Sequence, residues 1–327
     1  MDKLFIIGNG FDLYHGIKTK YSDFRDWYHR EYCAYLKNND GDFLTCEDLV
    51  SPSIFRQGWS DKHVSLRIIK LLIDNACSDN NNKNEWNNLE ANLGKLDFEE
   101  WIIKCTNCIE NIEKKTLRNK NNIINEITNS LMYIEELKEI YFKQWVDSIE
   151  INKNSKGKKF EKIFDKDSYF LTFNYTNTLE LLYDSLLDKG KINHIHIRKT
   201  QKNGKEITEY VLGTKFSDEN ERLKEIDSVF SDWYIKHFTK PTDEIIKNNS
   251  DFFNHIYNCK KIYTFGFSFS EVDLPYIENI LDSINSSEIV FYFNRRDMNK
   301  KDFYLKQISK VNNSNKEIII ESYPLGM

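Results

Sequence analysis

Leu4-Phe5-Ile6-Ile7-Gly8-Asn9-Gly10-Phe11-Asp12 decides how the chain folds. Four consecutive apolar residues leave no polar face, so the strand they form is buried on both sides, as in a parallel sheet. Gly8 and Gly10 end that strand, and Phe11-Asp12-Leu13 opens a helix. A glycine turn lets backbone N–H groups approach a diphosphate closely, and the helix start adds partial positive charge. The turn stops short of the G-x-G-x-x-G fingerprint because Leu13 stands where the third glycine belongs. No ribose-binding acid closes an obvious second strand either, which argues against an ordinary dinucleotide-dependent dehydrogenase. The lysine-bearing P-loop G-x-x-x-x-G-K-[ST] is absent, which removes P-loop ATPases and GTPases. The plain alternative is a tight strand-to-helix turn with no ligand, in which Asp12 caps the helix.

The same alternation of strand and helix returns later in the chain. Phe24, Trp27, Tyr28, Tyr32, Tyr35 and Leu36 recur at helical spacing and are read as core rather than as a platform for stacking bases. From about residue 61 to 150 the period is helical, through Val64, Leu66, Ile69 and Ile73 and then Leu89, Leu93 and Leu96. Lys153, Lys156, Lys158, Lys159, Lys162 and Lys166 surround Gly157 and are read as a solvated linker. Strands are predicted over Tyr169–Phe173, Ile192–Ile197, Ile207–Leu212, Lys261–Phe265, Glu288–Phe293 and Glu317–Ser322, with helices over Asn177–Leu187, Leu274–Ile284 and Phe303–Val311. This order implies an α/β fold: a doubly wound, mostly parallel, Rossmann-like sheet with a large α-helical insertion. Residues 1–60 and 161–327 form the core and 61–160 the insertion. Ligands of such sheets sit beyond the carboxyl ends of the strands.

Composition narrows the function classes. A net charge of −5 over 327 residues opposes a surface built to hold nucleic-acid backbone. The six cysteines are scattered, and Met1-Asp2 leads straight into a core strand without a secretory signal. A cytoplasmic protein is expected, and no apolar run reaches the length of a membrane span. Cys105-Thr106-Asn107-Cys108 has metal-pair spacing but lies in a helical pattern with no second pair, so no metal is expected. Gly266-Phe267-Ser268-Phe269-Ser270 lacks the closing glycine of a hydrolase elbow. His15 and His29 are read as packing or surface residues.

The opening heptad Ile6 to Asp12, with Tyr14 to Tyr21 after it, then Thr172-Phe173-Asn174-Tyr175-Thr176, His194-Ile195-His196, and Gly266-Phe267-Ser268 with Asp273, resemble the AbiH family of phage abortive-infection proteins. AbiH proteins in turn look like a divergent branch of the SIR2-like fold, whose members bind NAD and break its nicotinamide–ribose bond. The resemblance implies NAD as substrate, with Gly8, Asn9, Gly10, Phe11, Asp12 and Thr172 on its phosphate and ribose side. It implies Ser268 and Asn294 along the far side, Asp273 as a further cofactor-binding residue, Asn174 as the amide that orients water and ribose hydroxyls, and His196 as the catalytic base. The family histidine is normally followed by glycine, whereas Ile197 follows His196 here. Whether His194 or His196 faces the pocket is left open by alternation, and position at the strand's carboxyl end favours His196. Glu90, in a Trp-x-x-Leu-Glu grouping, is read as an exposed helix acid, with a place near the site as the alternative the resemblance offers.

The chemistry asks for these residue types. Nicotinamide departs from NAD as a neutral molecule and leaves an oxocarbenium-like ribose, so the protein supplies phosphate contacts, a held ribose and a base for water. Implied partners are NAD or a related nucleotide, an activating protein from the phage or a defence system, and further copies of the chain, with no membrane and no nucleic acid. The other readings are a non-catalytic nucleotide-binding sensor, and a nucleic-acid-directed toxin for which only the lysine cluster speaks.

Overall fold

The structure, a computed structural model, describes residues 3–39, 66, 69, 70, 73, 137–202, 204–214 and 235–323. The chain divides into two compact units. Met1–Thr19, Ser148–Val211 and Lys240–Met327 make the first; Lys20–Asp147 and Leu212–Thr239 make the second. The second unit is therefore wider than the insertion expected at 61–160, and residues 148–160 fall in the first. Glu90 and the Cys105–Cys108 pair lie outside the described residues.

The first unit is a doubly wound α/β fold. Its strands are β1 (Lys3–Ile7), β2 (Tyr169–Thr172), β3 (Ile192–His194), β4 (Ile197–Lys202), β5 (Lys205–Tyr210), β6 (Lys261–Phe265), β7 (Glu288–Phe293) and β8 (Glu317–Ser322). Six of them form one parallel sheet in the order β3-β2-β1-β6-β7-β8. With the β4–β5 hairpin set aside, this is the 3-2-1-4-5-6 order of dinucleotide-binding sheets, and the winding reverses between β1 and β6.

Strand β1 shows why an unbroken apolar run was needed. Leu4 and Ile6 point into one core with Leu171, Ile262, Ile277, Ile280 and Phe291. Phe5 and Ile7 point into another with Phe11, Phe160, Phe164, Phe170 and Leu179. The four apolar side chains of β1, Leu4 to Ile7, are fully buried, each worth about 1.5–3 kcal/mol relative to exposure.

Two sequence expectations are corrected here. Ile192–Ile197 is not one strand: β3 stops at His194, Ile195 and His196 turn, and Ile197 starts β4. The His196 carbonyl accepts the Val211 N–H at 2.8 Å, so the antiparallel β4–β5 hairpin closes just beyond His196 and leaves the main sheet. The predicted strand Ile207–Leu212 is accordingly β5 of that hairpin. The lysine-rich segment is not a solvated linker either. Phe160, Ile163 and Phe164 anchor it in the core, Lys156 pairs with Glu161 at 2.9 Å, and Lys159 sits 3.7 Å over the Tyr14 ring. Apolar residues between the lysines, not the lysines themselves, fix its place.

In the second unit, helix Tyr21–Asn39 buries Phe24, Tyr28 and Tyr32. Phe24 packs on Phe142 and Trp145 with ring centroids 5.6 and 5.3 Å away, so Phe24, Tyr28 and Tyr32 of the aromatic stripe are core, while Trp27 and Tyr35 are half-buried. Among the described residues no helix is long and apolar enough to cross a membrane.

Candidate functional site

Because every pairing in the main sheet is parallel, all six carboxyl ends share one edge. That edge carries Gly8 to Asp12 after β1, Phe173 to Thr176 after β2, Ile195-His196 after β3, Gly266 to Ser268 after β6 and Asn294 after β7.

The glycines after β1 are engaged by the turn after β6. The Gly8 N–H donates to the Phe265 carbonyl at 2.8 Å and the Gly10 N–H to the Gly266 carbonyl at 3.2 Å. A Cβ on Gly10 would lie 2.6 Å from the Gly266 Cα, and one on Gly8 2.4 Å from the Gly266 oxygen. Gly266 itself has φ +61°, a conformation that favours glycine. These residues are glycine because two backbone turns touch at the point where the sheet's winding reverses. The expected use of the Gly8 and Gly10 amides on a diphosphate is corrected accordingly: their N–H groups have protein partners. Asn9 donates its side-chain amide to the Thr19 carbonyl at 2.9 Å. The Phe11 N–H donates to the Gly8 carbonyl at 2.9 Å and the Phe11 ring is core, so Phe11 is structural rather than ligand-facing.

Asp12 is not a helix cap. It lies inside α1 (Asn9–Tyr14) and is buried. Its Oδ2 accepts the Thr176 hydroxyl at 2.7 Å, and Thr176 in turn contacts the Thr178 hydroxyl at 2.9 Å. Burial pushes the Asp12 carboxyl up to about 6, and the Thr176, Thr178 and Asn174 side chains with the His194 charge pull it only partly back. Asn174 is buried beside it, its backbone N–H held by the Thr172 hydroxyl at 3.2 Å. Asp12 Oδ1 and Asn174 Oδ1 are both buried oxygens with no hydrogen-bond partner among the described residues. An orphaned buried acceptor costs about 1–3 kcal/mol, so both oxygens keep unmet capacity to accept a hydrogen bond.

His196 is held differently. Its Nδ1 lies 3.0 Å from the Phe173 carbonyl, which only accepts, so Nδ1 carries the proton. The ring packs between Phe173 and Tyr175, centroids 5.2 and 5.5 Å away. Nε2 lies 3.5 Å from Asp273 Oδ1. Lys240 donates to that same oxygen at 2.8 Å, and the Ser270 hydroxyl to Oδ2 at 3.0 Å. Burial and the Lys240 charge hold the imidazole below its ordinary pKa despite Asp273. Burial raises Asp273, but Lys240 and His196 outweigh it and keep the carboxyl well below the usual range. His196, Asp273 and Lys240 are thus an interior network in which a carboxylate–ammonium pair faces a neutral imidazole.

His194, at the end of β3, takes a third arrangement. Its Nε2 hydrogen-bonds Glu180 Oε1, from helix Thr178–Tyr183. Burial raises Glu180, but the bond and charge of His194 hold it below its ordinary value, so Glu180 is an ionised acceptor and Nε2 the donor. His194 Nδ1 is buried with no hydrogen-bond partner among the described residues.

Of the residues expected at the site, Asp12, Thr172, Asn174, His196 and Asp273 converge through direct contacts or adjacent chain. Ser268 is exposed on the turn after β6. Asn294 stands on the same edge but caps the next turn, its Oδ1 accepting the Arg296 N–H at 3.0 Å. Sequence reasoning missed Lys240, Glu180, Thr176 and Thr178 as partners. Only Thr176 lay inside a quoted motif; nothing about a lysine before Pro241 signals a buried ion pair. His15 is a packing residue, bridging the Phe11 carbonyl at 2.7 Å and the Tyr183 hydroxyl at 2.8 Å.

No curated protein matches the chain. The family described as bacteriophage abortive infection AbiH matches residues 4–294, across the edge that carries Asp12, Asn174, His196 and Asp273, and the chain belongs to the AbiH family.

Proposed function

We propose that the carboxyl edge of the sheet binds NAD and hydrolyses its nicotinamide–ribose bond, as the effector step of abortive infection. Membership in the AbiH family assigns the chain to bacteriophage abortive infection. The observation that carries the step to NAD is the pair of orphaned oxygens, Asp12 Oδ1 and Asn174 Oδ1, at the ends of two adjacent strands of a dinucleotide-order sheet. In hydrolysis the C–N bond breaks with its electron pair on nicotinamide, and water oxygen bonds the anomeric carbon. Asp12, as carboxylate, offers negative charge to the developing cation, as glycosidase carboxylates do. Asn174 Oδ1 accepts a ribose hydroxyl. Both side chains are buried at rest, in keeping with an effector that is silent until triggered.

The test is cellular NAD in phage-infected bacteria carrying the wild-type chain or Asn174→Ala. NAD is expected to fall with the wild type and to hold with the variant. Protection from phage with NAD unchanged by the wild type overturns hydrolysis. A second reading, a nucleotide sensor without turnover, is favoured by the burial of His196, whose one free ring nitrogen faces Asp273. It takes over if Asn174→Ala retains full protection.

A further inference from the structure

We infer that His194, oriented by Glu180, is the proton acceptor for the attacking water, and that His196 is an interior support. This rests on the reading of the site as an NAD hydrolase.

The two histidines differ in what their nitrogens still have to offer. His196 has spent Nδ1 on the Phe173 carbonyl, and its Nε2, likewise without a hydrogen-bond partner among the described residues, lies 3.5 Å from Asp273 Oδ1 in an interior that Asp273 and Lys240 already occupy. His194 donates Nε2–H to Glu180 and keeps Nδ1 as a lone pair without a partner. A carboxylate on one imidazole nitrogen fixes the tautomer and stabilises the imidazolium that forms when the other takes a proton. The His194 side chain is 19% exposed and that of Glu180 24%, against 5% for His196, so the pair sits nearer the surface.

Position agrees. β3, β2 and β1 are consecutive neighbours in the sheet, and Thr172 pairs with His194 in register. Their carboxyl ends present His194 Nδ1, Asn174 Oδ1 and Asp12 Oδ1, three buried polar atoms with unmet capacity. Asp12 lies close enough that a proton taken up by His194 pulls its carboxyl down. The groups acting on the dyad are Asp12 from α1 and Lys189, whose charge reaches Glu180 while its ammonium pairs with Asp184 at 2.8 Å. In the step, the water oxygen bonds the anomeric carbon, its proton passes to His194 Nδ1, and nicotinamide leaves neutral. Glu180 touches no reacting atom and is a positioning residue.

The experiment is steady-state nicotinamide release from NAD by the full chain, recovered from phage-infected cells, for wild type, His194→Gln, Glu180→Gln and Glu180→Asp. His194→Gln is expected to lower kcat by about 10²- to 10⁴-fold with KM for NAD nearly unchanged. Glu180→Gln is expected to lower kcat by up to about 10⁴-fold, because its amide can donate to Nε2 and drive the proton onto Nδ1. It should also move the acid limb of the kcat profile to lower pH, a change that a purely structural role leaves alone, and Glu180→Asp should restore part of the rate. If His194→Gln does not fold, as judged by its melting curve, the Glu180→Gln pH profile decides. Wild-type kcat in His194→Gln, or an unmoved acid limb in folded Glu180→Gln, overturns the assignment to His194 alone. Absence of release by the wild type overturns the hydrolase reading and the assignment with it.

Discussion

At the residue scale, Asp12 is the side chain whose environment departs most from what its position in the sequence suggests. A carboxyl in the first turn of a helix is ordinarily a solvated cap; this one is buried and raised to about 6 from an ordinary 3.8. Between those values the folded chain keeps a proton that the unfolded chain has lost, so stability falls as pH rises through this window. The loss is complete above about pH 6 and amounts to about 3 kcal/mol. Asp12→Asn cannot ionise. Its stability relative to wild type, measured by urea unfolding, is expected to gain about 2 kcal/mol or somewhat more between pH 4 and pH 7.5; a difference independent of pH contradicts a buried carboxylate. The placement of Asn174 and Asp12 beyond strand ends was legible because each follows an apolar run that reads as a strand. Glu180 and Lys240 were not, because a charged residue in a helix or before a proline reads as surface until the fold brings its counter-ion to it.

At the scale of elements, the contact between the β1 and β6 turns determines how the edge is built. Gly266→Ala is expected to cost on the order of 3 kcal/mol, combining a left-handed φ with a Cβ 2.2 Å from the Gly10 Cα. A melting temperature equal to wild type would show that the turns can separate. The buried pair Lys240–Asp273 is the second elementary device, fastening the segment that follows Thr239 to the residue before helix Leu274–Ser283. Lys240→Met should destabilise by about 3–5 kcal/mol, because it strands a buried carboxylate. Lys240→Met with Asp273→Asn should recover most of that in chemical denaturation, and equal losses in single and double variants would refute the pairing. The elements themselves were largely legible: β6, β7 and β8 match the predicted strands residue for residue. The failure at Ile192–Ile197 has a clear cause. Ile192 to Ile197 contains no glycine or proline to mark the turn at Ile195-His196, and nothing local records that β3 is parallel to β2 while β4 turns away to pair with β5.

At the scale of the molecule, strand-helix alternation was enough to give a doubly wound α/β unit, since short right-handed crossovers leave few other solutions. Strand order was not legible, because it depends on which edge each crossover takes, and neither were the bounds of the second unit, since helix Tyr21–Asn39 carries the same amphipathic signal in either unit. What the whole sheet adds is placement: β3, β2 and β1 deliver His194, Asn174 and Asp12 to neighbouring points on one edge. The most direct measurement is a crystal structure of the wild-type chain with an NAD analogue whose nicotinamide–ribose bond resists hydrolysis. The nicotinamide ribose is expected with hydroxyls within about 3.2 Å of Asp12 Oδ1 and Asn174 Oδ1. An ordered analogue whose ribose lies away from both oxygens, or no bound analogue at saturating concentration, contradicts the assignment of this edge to NAD.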